Sequence, residues 1–216
     1  MSMKASCRLF VIMANTAPAA VILRRGPSKW VQIIKWHTRD DRFTDGSWFH
    51  GRIYEDRCDV SPNGELFVYF VLKNQYSEGY GNAWTAVSRP PWLTALALWT
   101  QLGTYGGGGQ FVSDSHLILD YGIGSKQHPD HQMRGLKIVA GDIERKRSAA
   151  IVADSDWSGY DQMGRVIYTR GGKLFRQSKS RRSADSEVAD FTDRVPDPKP
   201  PPDWAAKGST AYKRSR

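Results

Sequence analysis

The chain has 216 residues, of which 40% are hydrophobic and 25% charged, with a formal net charge of +9; this suits one domain, with or without a tail. Cys7 and Cys58 are its two cysteines and neither lies in a C-x-x-C pair, which excludes a zinc-ribbon or disulfide-rich scaffold and reads as two reduced, buried thiols of a cytoplasmic protein. No run approaches the roughly 20 apolar residues of a membrane span, so no membrane partner is expected.

In chain order, Lys4 and Arg8 precede Leu9-Phe10-Val11-Ile12-Met13-Ala14. The run loosely mimics a secretory leader but falls short of the roughly 7–15 apolar residues one needs, so it reads as a first strand. Residues 20–23 and 30–36 form a hairpin around the turn residues Gly26-Pro27-Ser28. Residues 38–46 read as a polar loop and 48–54 as a strand. At Asn63-Gly64 a type I′ turn is expected, since both central positions of that turn take positive φ. Residues 66–72 are almost continuously apolar and β-prone, which fits a strand buried on both faces.

Residues 74–81 read as a loop, and 83–88 with 92–99 as a second hairpin. This second hairpin echoes the first: an apolar run, an Arg/Pro turn (Arg24-Arg25-Gly26-Pro27, then Arg89-Pro90-Pro91), and an apolar run bracketed by tryptophans, Trp30/Trp36 and Trp92/Trp99. Residues 103–109 are glycine-rich. Short strands follow at 111–112, 116–121, 137–140 and 149–153. A third copy begins at Gly164-Arg165-Val166-Ile167-Tyr168, like Gly51-Arg52-Ile53-Tyr54, and turns at Gly171-Gly172 into Lys173-Leu174-Phe175-Arg176. Repeated β-units of this kind build binding surfaces. From Gln177 the chain turns polar, basic and then proline-rich (Pro196-Asp197-Pro198-Lys199-Pro200-Pro201-Pro202). The expectation is an all-β domain of antiparallel hairpin repeats, propeller-like but incomplete or a curved sheet, over residues 1–176, and a mostly disordered tail over 177–216.

The segment Asp59-Val60-Ser61-Pro62-Asn63-Gly64-Glu65-Leu66-Phe67-Val68-Tyr69 resembles the S-P-D-G strand motif of TolB-like and WD-type β-propellers. The resemblance implies four-stranded blades about an axis and protein or ligand binding at one face. Three such units are fewer than the 4–8 blades of closed rings. The whole chain also resembles bacterial proteins to which no function is attached.

The glycine run lacks the G-K-[ST] ending of a phosphate loop and precedes a strand, so it reads as a close-packed turn. His128-Pro129-Asp130-His131 offers His128 and His131 as weak metal candidates, with His116 or Asp120 as a third ligand. His37 with Asp40 and Asp41, and His50 with Glu55, Asp56 and Asp59, are interleaved with arginines, the pattern of a salt-bridged surface. These loops are all a small metal-dependent hydrolase or nuclease would have to work with. No catalytic residue and no cofactor is expected. The binding candidates are Arg24, Arg25, Lys29, Lys35 and Arg89, cations set among aromatic rings, and Trp204 beside the stiff proline run. The leading reading is a non-enzymatic adaptor holding another protein chain or a second copy of itself (a homodimer), with nucleic-acid binding through the basic-aromatic loops as the alternative.

Overall fold

The computed structural model describes residues 7–77, 79–144, 151–180 and 182–207. Among them the chain is almost entirely β. Strands β1 (Arg8–Met13), β2 (Ala19–Arg25), β3 (Trp30–His37) and β4 (Arg42–His50) form an antiparallel meander, the first sheet. Next come β5 (Arg52–Ile53), β6 (Asp59–Val60), β7 (Phe67–Ser77), β8 (Gly81–Ser88), β9 (Ala97–Gln101), β10 (Gly109–Ser113), β11 (His116–Leu119), β12 (Lys126–Gln127) and β13 (Lys137–Ala140). The second sheet has the order β12-β9-β8-β7-β5, with β6 also paired to β7, and the third is β10-β11-β13, where β11 and β13 run parallel. Strands β14 (Trp157–Tyr160), β15 (Val166–Arg170), β16 (Lys173–Arg176) and β17 (Ser186–Asp190) make the fourth, another meander. Among the described residues no sheet closes into a barrel.

The sheets stack in the order fourth, first, second, third, and the period of two along each strand shows how. On β2, Ala20 and Ile22 face the fourth sheet with Leu9, Val11, Ile34 and Trp36, while Ala19, Val21 and Leu23 face the second. On β7, Phe67, Tyr69 and Val71 face the first sheet and Val68 faces the third. The expectation for residues 66–72 is met: the strand is apolar throughout because both of its faces are interior. Two of the self-similar segments land on the middle two strands of four-stranded meanders, β2-β3 and β15-β16, and the other on β8-β9 inside the six-stranded second sheet.

Several expectations are corrected. The polar stretch 38–46 is a tight turn followed by β4, an edge strand whose outward positions tolerate polar side chains. Its bulge at Gly46-Ser47 meets the second sheet: Ser47 donates its N–H to the Pro91 carbonyl at 3.1 Å, and a Cβ on Gly46 would lie 2.0 Å from that oxygen. The loop expected at 74–81 is shorter, since β7 runs to Ser77, β8 starts at Gly81 and residues 79–80 form a turn; residue 78 lies outside the described residues. Residues 92–96 are irregular rather than strand, because Pro90 and Pro91 have no N–H to continue a ladder. Asn63 does not take positive φ; Gly64 alone does, at 74°. With Pro62 fixing the first turn position, Gly64 donates back to Ser61 at 2.8 Å, so the hairpin turn is not type I′. Of the strand expected at 149–153, residues 149–150 lie outside the described residues and 151–154 form a turn.

The largest correction concerns residues 177–180 and 182–207 of the expected tail; residues 181 and 208–216 lie outside the described residues. Ser186–Asp190 is the outer strand of the fourth sheet, and Phe191 is buried beside Phe43, with ring centroids 5.3 Å apart. The chain then runs extended past β4 to a short helix, α1 (Asp203–Ala206), where Ala205 is fully buried. The apolar signal of Val188 and Phe191 is hidden among charged neighbours, so composition alone hides their docking.

Candidate functional site

The cations expected at a binding face are mostly engaged within the molecule. Arg24 is only 1% exposed; its guanidinium donates to the carbonyls of Phe191 (2.8 Å), Arg194 (3.0 Å) and Thr192 (3.4 Å) and lies 5.6 Å from the Trp48 ring. Arg25 pairs with Glu55 at 2.8 Å and also donates to the Ile53 carbonyl. Lys35 reaches Glu65 at 3.4 Å. Arg89 donates to the Lys207 carbonyl. Lys29 is exposed on the β2–β3 turn beside Trp30, whose ring meets Trp48 (6.4 Å) and His50 (4.7 Å). Trp204 is 44% exposed on α1. The structure therefore does not gather these residues into one patch.

His128 and His131 do come together, 5.0 Å between ring centroids, but their third partner is Tyr80. His131 Nδ1 faces the Ala95 carbonyl at 3.0 Å, an acceptor only, so Nδ1 carries the proton and Nε2 accepts from the Tyr80 hydroxyl at 3.0 Å. Burial holds the His131 pKa below its ordinary value, which keeps that arrangement neutral. His128 stacks on Tyr80 at 4.8 Å. The trio ties the β7–β8 hairpin tip to the 91–96 loop. His116 sits away on β11, and no group of three or more His, Cys, Asp or Glu side chains placed to hold a metal is found among the described residues.

The carboxylates considered for metal chemistry are dispersed. Asp40 pairs with Arg42, Asp41 bridges to Arg176, and Asp59 accepts from the N–H groups of Val60 and Phe111. Both thiols are free and buried, and burial raises both pKa values, so neither is a ready thiolate nucleophile. A cleft of about 370 Å³ opens between the sheets over Phe10, Leu23, Val31 and Ile53. Its rim carries Arg8 and Arg25, directly opposite in register, each facing a carboxylate: Asp156 at 3.7 Å and Glu55 at 2.8 Å.

The glycine-rich loop is the site that residue-by-residue reading missed. Residues 101–108 and 120–125 are laced by backbone bonds: Leu102 N–H to Ile123 O (3.0 Å), Ile123 N–H to Tyr105 O (3.3 Å) and Gly107 N–H to Asp120 O (3.0 Å). Beneath them the buried Arg57 donates to the carbonyls of Thr104 (2.9 Å) and Gly106 (2.6 Å), and buried Gln101 donates to Gly103 O. Only glycine fits at Gly107 and Gly108: their φ values are 94° and 105°, and a Cβ would lie 2.7 Å from Phe70 and 2.4 Å from the Arg57 carbonyl. The lacing holds Leu102, Tyr105, Tyr121 and Ile123 out in solvent, at 73%, 78%, 44% and 64% exposure. The loop turns carbonyls inward to Arg57, while the Gly107 and Gly108 N–H groups are taken by Asp120 O and Thr85 Oγ1, the opposite polarity to an anion cradle. The available signal was large apolar residues between glycines where a plain turn would carry polar ones.

No protein family, curated protein or solved structure matches the chain. No helix among the described residues is long and apolar enough to cross a membrane.

Proposed function

We propose that the protein is a non-enzymatic adaptor subunit that holds another protein chain, or a second copy of itself, against its loop surface. The observation that carries this reading is the quartet Leu102, Tyr105, Tyr121 and Ile123, held out in water by two laced loops. Apolar surface presented in this way marks interaction sites, Tyr is favoured at the buried centres of interfaces, and a backbone already fixed by Arg57 loses little entropy on docking. The architecture that supports the site is read as an open, propeller-like array, since two of its sheets are four-stranded antiparallel meanders. A cytoplasmic setting belongs to the same reading, because two buried free thiols suit a reducing compartment.

Nucleic-acid contact is the second reading, favoured by the Trp30, Trp48 and His50 rings beside the exposed Lys29. The engagement of Arg24, Arg25, Lys35 and Arg89 by groups of the same chain weighs against it. The test is the double variant Tyr105→Ser/Ile123→Ser. Sedimentation of the protein alone reads self-association, and reconstitution with a purified partner reads the complex. The adaptor reading expects the dimer or complex to be lost with an unchanged melting temperature. A monomer whose partner binding ignores the double variant overturns it. Steeply salt-dependent RNA or DNA binding that ignores the double variant would favour the second reading.

A further inference from the structure

Between Arg194 and Ala205 the chain crosses the molecular surface as a strap fastened at both ends. At the near end Phe191 is buried, Arg24 grips the carbonyls of Phe191 and Arg194, and the Arg194 side chain reaches Asp45 on β4. At the far end Ala205 is fully buried and Arg89 holds the Lys207 carbonyl. Between these anchors Val195 is 72% exposed and every residue from Asp197 to Pro201 is exposed. Pro202 has φ −69° and ψ 156°, values of a polyproline II helix.

The composition of the strap decides what can bind it. Prolines at 196, 198, 200, 201 and 202 leave Val195, Asp197 and Lys199 as the only backbone N–H donors of residues 195–202, and the run 200–202 has none with which to extend a sheet edge. It offers ring faces and solvated carbonyls instead. With three residues per turn, Pro198 and Pro201 share one edge of the helix and Lys199 stands off it, its ammonium paired with Asp197 at 2.8 Å and still largely in solvent. Aromatic-lined grooves recognise such edges by packing rings against prolines and donating hydrogen bonds to carbonyls.

We propose that residues 195–202 are a tethered polyproline ligand for a partner domain whose groove is lined with aromatic side chains. This goes beyond the adaptor reading: the strap and the Leu102/Tyr105 platform are separate surfaces, and either can fail alone. Fastening both ends also removes part of the ordering entropy that a free peptide loses on binding.

The experiment is calorimetric titration of the full chain against isolated SH3, WW and EVH1 domains, with a free peptide of residues 194–204 as comparison. The intact protein is expected to bind at least one domain as tightly as the peptide or tighter. Pro198→Ala/Pro201→Ala is expected to weaken binding about ten-fold or more with an unchanged melting temperature, because those rings are the contact. Arg89→Ala, which frees the far anchor without touching a proline, is expected to weaken it about two- to five-fold. Tyr105→Ser/Ile123→Ser leaves it unchanged, which separates this proposal from the adaptor reading. The proposal is overturned if no domain binds the intact chain at millimolar concentration, if the peptide binds and the chain does not, or if the double proline variant binds like the native protein.

Discussion

Arg24 on β2 donates from Nε to the carbonyl oxygen of Phe191 at 2.8 Å, across 167 positions of chain. The contact joins the first sheet to the strand end that closes the fourth. Arg89, in the second hairpin, holds the Lys207 carbonyl further along the same segment. Arginines that look like surface cations in the repeat are therefore fasteners for the C-terminal segment.

Arg24→Ala leaves buried carbonyls of Phe191 and Arg194 without their donor. An unfolding free energy lower by about 3 kcal/mol is expected from unmet buried polar groups. Urea denaturation measures it; Arg24→Lys, which keeps the charge and loses the fork, falls between the two. A loss below about 0.5 kcal/mol, the range of an ordinary surface change, contradicts the fastener role.

Phe191→Ala removes a ring packed against Phe43 and the core between the first and fourth sheets, and about 3–5 kcal/mol of stability is expected to go with it. Ending the chain after Asp185 removes β17 as well and lowers the melting temperature further. An unchanged melting temperature in either variant would mean that residues 186–207 are a free tail after all.

Gly108→Ala forces a Cβ to within 2.4 Å of the Arg57 carbonyl at a φ of 105°. Loss of about 2 kcal/mol or more is expected from strain of this kind. Hydrogen exchange is expected to speed up at residues 102–108 and 120–125, with the first and fourth sheets unaffected. Uniform protection across the loops would show that the lacing does not depend on this glycine.

Burial lowers the pKa of His131, and burial together with Lys35 and Arg42 lowers that of His37. Each therefore binds its proton more readily in the unfolded chain, so stability falls as pH drops below the ordinary value of about 6.5 and levels off below the folded pKa. Melting temperature followed from pH 7.5 to 5 should decline, and His131→Gln/His37→Gln should flatten the decline. Asp190 acts at lower pH: hydrogen bonds from Thr192, with Lys173 nearby, hold its carboxyl down to about 2. Its contribution is complete above the ordinary carboxylate range and disappears as pH falls toward 2, so Asp190→Asn should selectively flatten the acid limb.

The β-class, the strand at 66–72, the first hairpin and the polyproline run were legible in the sequence because each depends on local properties: side-chain period, turn chemistry and the fixed φ of proline. The self-similarity of residues 20–36 and 164–176 likewise marked the middle strands of the two four-stranded meanders, whereas residues 92–96 of the second copy form no strand. Tertiary structure alone decided which sheet each apolar face meets, since Ile33 and Ile34 are equally apolar yet face opposite neighbours. It alone turned Arg24 and Arg89 from candidate ligand contacts into fasteners, because a guanidinium's partner is set by which carbonyls arrive beside it. Leu102, Tyr105, Tyr121 and Ile123 became a platform for the same reason. Exposure depends on what else covers a position, and two loops joined through Arg57 and Gln101 leave these four side chains in water.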